Sequence, residues 1–107
     1  MFDEQATQIF ATVDELAERV RKIGGTTLRS VEQIGKLTTL SENNKQFVEP
    51  HDMLKELISD HKTVIANMRA AHKLTEKHED VATASLLETF IDGAERRLWF
   101  LFETSRN

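Results

Sequence analysis

Residues 2–25 read FDEQATQIFATVDELAERVRKIGG, and this stretch decides the fold. Its apolar residues are Phe2, Ala6, Ile9, Phe10, Val13, Leu16, Ala17, Val20 and Ile23, mostly in steps of three and four. That spacing is one face of a helix, and the alternation of a half-buried strand is absent. Gly24 fits the left-handed residue that closes such a helix. Arg21 and Lys22 fall in its last turn, where the free carbonyls favour cations.

Downstream of Gly25, Leu28 to Leu37 has room for one short helix, and Ser41-Glu42-Asn43-Asn44 is turn chemistry. The stretch from 26 to 49 therefore reads as a connection carrying that short helix. It is long for a loop inside a bundle, so it is expected to cross from one end to the other. Pro50 suits the first position of a new helix, with Asp52 in its first turn. Met53, Leu54, Leu57, Ile58, Val64, Ile65 and Met68 then continue at helical spacing, and the helix is expected to end near Lys77. Asp80 reads as the N-cap of a last helix running through Leu86, Leu87, Phe90, Ile91, Ala94, Leu98, Trp99, Leu101 and Phe102 to near Thr104. The short break from His78 to Asp80 makes the last two helices antiparallel neighbours. The expected class is all-α, with three long helices and one short connecting helix. Apolar residues surround much of the last helix near Leu98 to Phe102, which calls for a further packing surface, either another helix or another subunit.

Composition narrows the function classes. With 107 residues, one domain over 1–107 is expected. A formal charge of −4 lacks the footprint of a general phosphate-backbone binder. The absence of cysteine excludes disulfides, thiolate metal sites and cysteine nucleophiles. No apolar run approaches the roughly 20 residues of a membrane span. Met-Phe-Asp-Glu lacks the basic-then-apolar pattern of a secretory signal, so a soluble cytoplasmic protein is expected.

The chemistry-bearing residues sit mainly on the first helix. At about 100° per residue, Asp3, Asp14 and Glu18 fall within roughly 60° of one another, on a stripe shared with Thr7, Phe10 and Arg21. The core-facing stripe, centred near Val13 and Val20, lies about 120° away. Asp14 and Glu18 are four apart, a spacing that lets two carboxylates reach one cation, and hard oxygen ligands suit iron, manganese or magnesium. The competing reading is a solvated acidic flank. His61 and His72 share a largely apolar stripe with Ile65 and Met68, so at least one is expected to be partly buried. Eleven residues is about 16 Å along a helix, too far for the two to share an ion. His51 and His78 lie near helix ends and are expected in solvent. Glu76, Glu79 and Asp80 form an acidic cluster at the last turn, either caps or a carboxylate-lined opening for cations.

Taken together, these segments resemble a known family. Val13-Asp14-Glu15-Leu16-Ala17-Glu18-Arg19 followed by Ile23-Gly24-Gly25 resembles the second-helix signature of the Dps-type mini-ferritins, the DNA-binding proteins from starved cells. The resemblance continues through Met53-Leu54-Lys55-Glu56-Leu57 and through Asp80 to Leu87, and it closes on Arg97-Leu98-Trp99-Phe100-Leu101. It implies a ferritin-like bundle assembled as a hollow homo-dodecamer that oxidises ferrous iron, often with hydrogen peroxide, and stores ferric mineral against oxidative damage. It implies a ferroxidase site between two subunits at a twofold axis. By match, Asp14 and Glu18 come from one subunit and Asp3 from the other, and iron is the metal. Glu76 and Ser85 match positions where the family often carries acids near its threefold opening.

The family's two histidine ligands match no residue of this chain. They fall, with the family's first helix, before the point corresponding to Met1, so the resemblance is to a family protein shortened at its N-terminus. Exposing the groove of one helix in four would uncover apolar surface worth on the order of 10 kcal/mol, which predicts either association to cover it, with helices exchanged between copies as one route, or poor solubility. The expectation is iron binding and oxidation through Asp3, Asp14 and Glu18, with the oxidation weakened because three carboxylates without imidazole hold ferrous iron loosely. The rival is a non-catalytic helical oligomer that keeps the scaffold without the ferroxidase chemistry. DNA binding is disfavoured, because the Thr-Ser-Arg-Asn terminus supplies one basic residue.

Overall fold

The structure is a computed structural model and describes residues 1–106. It contains α1 (Phe2–Lys22), α2 (Val31–Leu37), α3 (Pro50–Lys77) and α4 (Val81–Ser105), with no strand among the described residues. These are the three long helices and the one short helix that the spacing predicts. No helix among the described residues is long and apolar enough to cross a membrane. The backbone divides into two compact units, Met1–Ser41 and the remainder from Glu42.

In the first unit, α1 ends as its sequence dictates. Gly24 takes φ 92°, and Gly24 N–H and Gly25 N–H donate to the carbonyls of Arg21 and Val20 at 3.1 and 2.9 Å. This double reversal satisfies carbonyls the helix would otherwise leave open. Gly25 is needed for a different reason: a Cβ there would stand 2.8 Å from Val20 Cγ1. Ser30 Oγ caps α2 by accepting Gln33 N–H at 3.2 Å, and Gln33 Oε1 reaches back to accept Arg29 N–H at 2.6 Å. These reciprocal bonds let a helix of seven residues form where propensity alone is too weak.

The expected core stripe of α1 needs correction. Val13 is 55% exposed, and Val20 is only half-buried. Val13, Leu16, Ala17 and Val20 instead line an open groove of about 590 Å³ whose other wall is Thr26 to Arg29, Gln33 and Leu37. The periodicity correctly marks the apolar face. It carries no information on whether the chain itself supplies what covers that face.

In the second unit, α3 and α4 pack along an antiparallel hairpin. Leu54 and Ile65 of α3 meet a face of α4 carrying Ala84, Leu87, Ala94 and Leu101, all buried. The two alanines let the backbones approach, and Leu101 is 0% exposed. Arg69 and Glu95 tie the helices at 2.9 Å on the surface, a contact worth at most about 1 kcal/mol. Around Leu101, Trp99, Phe100 and Phe102 remain 54%, 38% and 52% exposed, which is the open packing surface expected near the end of the last helix. The Trp99 and Phe100 rings stack at 5.0 Å, and the Arg96 guanidinium lies 4.8 Å above Phe100.

The α3–α4 turn repeats the double reversal of α1. Asp80 N–H donates to Thr75 and Glu79 N–H to Glu76, at 2.9 and 3.1 Å. Here the left-handed residue is Glu79, at φ 57°. A side chain in that conformation costs about 1 kcal/mol, and a carboxylate at a helix C-terminus opposes the helix dipole. Glu79→Gly is therefore expected to stabilise the protein by about 1 kcal/mol in urea unfolding. An unchanged or lower midpoint would show that the Glu79 side chain contributes a contact that outweighs the strain. Asp80 Oδ1 accepts Thr83 N–H at 3.2 Å, the N-cap expected for α4.

Candidate metal centre

The three carboxylates singled out by the sequence all lie on α1 and are all exposed. Asp14 and Glu18 occupy successive turns of one stripe, and no hydrogen bond or ion pair holds either carboxylate among the described residues. Phe10 stands on the same stripe, one turn before Asp14, and is 77% exposed. Asp3 is eleven residues from Asp14, about 16 Å along the axis. It cannot share an ion with Asp14 and Glu18 of its own chain. The structure accordingly does not gather the three: no group of three His, Asp or Glu residues among the described residues could hold a metal ion. Each chain carries two exposed carboxylates one turn apart and, three turns away, one separate carboxylate. Carboxylate oxygens are the hard donors that ferrous and ferric iron accept.

Two like charges one turn apart repel by a few tenths of a kcal/mol. The same stripe exposes a phenylalanine, which loses its unfavourable hydration only against another surface.

The histidines stand elsewhere. His51, His61, His72 and His78 all belong to the second unit. His51 and His78 are exposed, as expected. His61 is 7% exposed. Its Nδ1 lies 2.7 Å from the Leu57 carbonyl. Nδ1 is then the donor, which leaves Nε2 as an acceptor, and Nε2 is buried without a hydrogen-bond partner. Replacing an orphaned acceptor by an apolar group of similar size removes its desolvation cost, about 1–2 kcal/mol. His61→Leu is expected to raise the thermal midpoint by several degrees. A lowered midpoint would mean that Nε2 has a partner in solution.

His72 is also largely covered, and sequence reasoning missed its partners. It meets Glu88 of α4 at 2.7 Å and Glu76 of α3 at 3.3 Å. Glu88 could have been found from the antiparallel register, since His72 and Glu88 are nearly equidistant from the hairpin turn. Glu76, Glu79, Asp80, Ser85 and Glu88 line a cavity of about 580 Å³ at the hairpin end.

The family follows from comparison with known proteins. The model of the ferritin-like domain matches residues 1–106, and the chain belongs to the ferritin-like family. Its fold and relatives are of the Dps type. A DNA protection during starvation protein of Agrobacterium fabrum is 30% identical over 101 residues, covering 94% of this chain and 62% of its own length. An uncharacterised low temperature-induced protein of Nostoc sp. is 28% identical over 102 residues, covering 94% of this chain and 57% of its own. The crystal structure of a Dps protein from Bacillus brevis superposes with a TM-score of 0.91 at 24% identity, over 96% of this chain and 68% of that one. That similarity establishes the fold. The chain thus spans 57% to 66% of the length of the first curated relatives it matches.

Proposed function

We propose that this chain binds ferrous iron and takes part in its oxidation and storage as ferric mineral, protecting the cytoplasm from oxidative damage. The observation that carries the reading is the α1 stripe, where Asp14 and Glu18 are exposed and unpaired beside a 77% exposed Phe10. A stripe of that kind is suited to a surface that closes against a second copy. Because Asp3 stands about 16 Å from Asp14 along the axis, the carboxylates complete one site only between two chains. Asp14 and Glu18 come from one copy and Asp3 from the other, and each pair of chains holds two such sites. The assembly is a homo-oligomer built on this dimer, with a dodecamer as the family's form.

Ferrous iron is the substrate. Paired carboxylates bind the ferric product more tightly than the ferrous substrate, because attraction grows with the charge of the ion. Two ferrous ions each give one electron to hydrogen peroxide. The resulting ferric ions take up oxide and hydroxide from the reduced peroxide and from water, and release protons. The chain's own part is to position the ions and to stabilise the higher charge.

Adding ferrous iron anaerobically, then peroxide, and following the ferric absorbance tests the reading. A band that grows with iron up to many ions per chain supports it, and no band removes the catalytic claim. The second reading, a scaffold without iron chemistry, is favoured by the lack of a three-ligand cluster among the described residues. It predicts a defined oligomer by light scattering that takes up no iron. DNA binding is not part of the proposal, given the net charge of −4.

A further inference from the structure

The groove between α1 and α2 in the first unit has two unlike walls. One is the apolar face of α1, where Val13, Leu16, Ala17 and Val20 extend about 10 Å along the axis. The other is the segment that the Gly24-Gly25 reversal turns back alongside α1, and it carries Thr26, Thr27 and Arg29. That segment is held at both ends. Gly25 N–H donates to the Val20 carbonyl at 2.9 Å, and Arg29 N–H donates to Gln33 Oε1 at 2.6 Å. Among the described residues, the Thr26 and Thr27 hydroxyls make no hydrogen bond, and the Arg29 guanidinium makes no hydrogen bond or ion pair. Of the described residues that line the groove, Arg29 alone is charged and none is acidic. Glu32, the acid nearest to it in sequence, is engaged by Lys36 at 2.9 Å.

We propose that this groove binds a free medium-chain carboxylate, with the alkyl chain along α1 and the head group on Arg29, Thr26 and Thr27. A space of about 590 Å³ with an apolar wall and a few convergent polar groups suits a small amphipathic ligand. The guanidinium fork matches the two oxygens of a carboxylate, and the hydroxyls can donate to the same anion. One cation balances one negative charge, whereas a phosphate monoester brings close to two. The donor side chains fall within the four consecutive residues 26–29, so they address a single head group. A docked helix would need polar partners spread along the groove. The site stands independently of the iron reading, because Asp14 and Glu18 lie about 120° round α1 from this wall.

The test is methyl nuclear magnetic resonance on the intact chain with labelled valine and leucine, titrated with octanoate below its micelle concentration. Octanol and octyltrimethylammonium serve as neutral and cationic controls. Octanoate is expected to give saturable shifts at Val13, Leu16 and Val20. Both controls lack the charge-assisted bonds and should bind at least about tenfold more weakly. Arg29→Gln should bring octanoate to the level of octanol and leave octanol unchanged. Arg29 is exposed, so the variant is expected to fold as the native chain does. Equal affinity for the three head groups, shifts confined to the aromatic patch of α4, or native octanoate affinity in Arg29→Gln would each overturn the proposal. So would the absence of any octanoate shift in the groove. Intermolecular contacts to these methyls in mixed labelled and unlabelled protein would then identify a second copy as the occupant.

Discussion

Leu101→Ala is expected to destabilise the protein by about 2–5 kcal/mol, the range for deleting a fully buried leucine side chain. Leu101 is 0% exposed and is the largest side chain so enclosed. The alanines at 84 and 94 have drawn the two helices together, and they are too small to fill a cavity opened at 101. Domains of this size are stable by only 5–15 kcal/mol, so the variant loses a large part of its margin. The thermal midpoint, followed by helical circular dichroism, should fall by ten degrees or more. Phe102→Ala provides the contrast. Phe102 is 52% exposed, so its removal should leave the melting of the single chain nearly unchanged and weaken association instead. Equal losses in the two variants would mean that α4 is buried on a different face from the one described.

The second large effect is chemical. Asp14→Ala with Glu18→Ala removes both carboxylates proposed to hold iron, and ferrous oxidation above the protein-free rate is expected to disappear. Asp3→Ala is expected to lower it by a tenfold or greater loss of metal affinity while leaving binding at Asp14 and Glu18 detectable, because the proposed site takes Asp3 from another copy. All three side chains are exposed, and Asp14 and Glu18 carry no hydrogen bond or ion pair among the described residues. The substitutions should therefore leave the melting curve within about 0.5 kcal/mol of native, as surface changes do. Oxidation that survives the double substitution at the native rate would place the chemistry elsewhere.

Most of the fold was legible because local chemistry fixes it. The Gly24-Gly25 pair, Pro50 and Asp80 punctuate the chain, and the helices begin and end within a residue or two of those signals. The left-handed conformation of Glu79 was not legible, since the hairpin requires a reversal at that position whichever residue occupies it. Burial on α1 was the least legible. Its apolar period is clear, but Val13 and Phe10 remain open because exposure depends on what stands opposite, and a period cannot report that. The candidate site shows the same division. Spacing places Asp14 and Glu18 on one stripe, and the structure adds that neither is neutralised by a neighbour. Helix rise alone separates Asp3 from Asp14 by about 16 Å, too far for the two to hold one ion within a chain. His72 with Glu88 needed the register of two packed helices, which periodicity does not supply, whereas Glu76 stands four residues on along the same helix.

In the proposed function, an iron ion is held by Asp14 and Glu18 of one chain and Asp3 of another. An iron-edge anomalous difference map from crystals of the assembled protein, grown anaerobically and soaked with ferrous iron, tests it most directly. A peak is expected about 2.0–2.2 Å from carboxylate oxygens of Asp14 and Glu18, typical of first-row metal–oxygen contacts, with Asp3 of a second copy completing the contact. Peaks confined to other residues, with Asp14 and Glu18 facing bulk solvent, would contradict it.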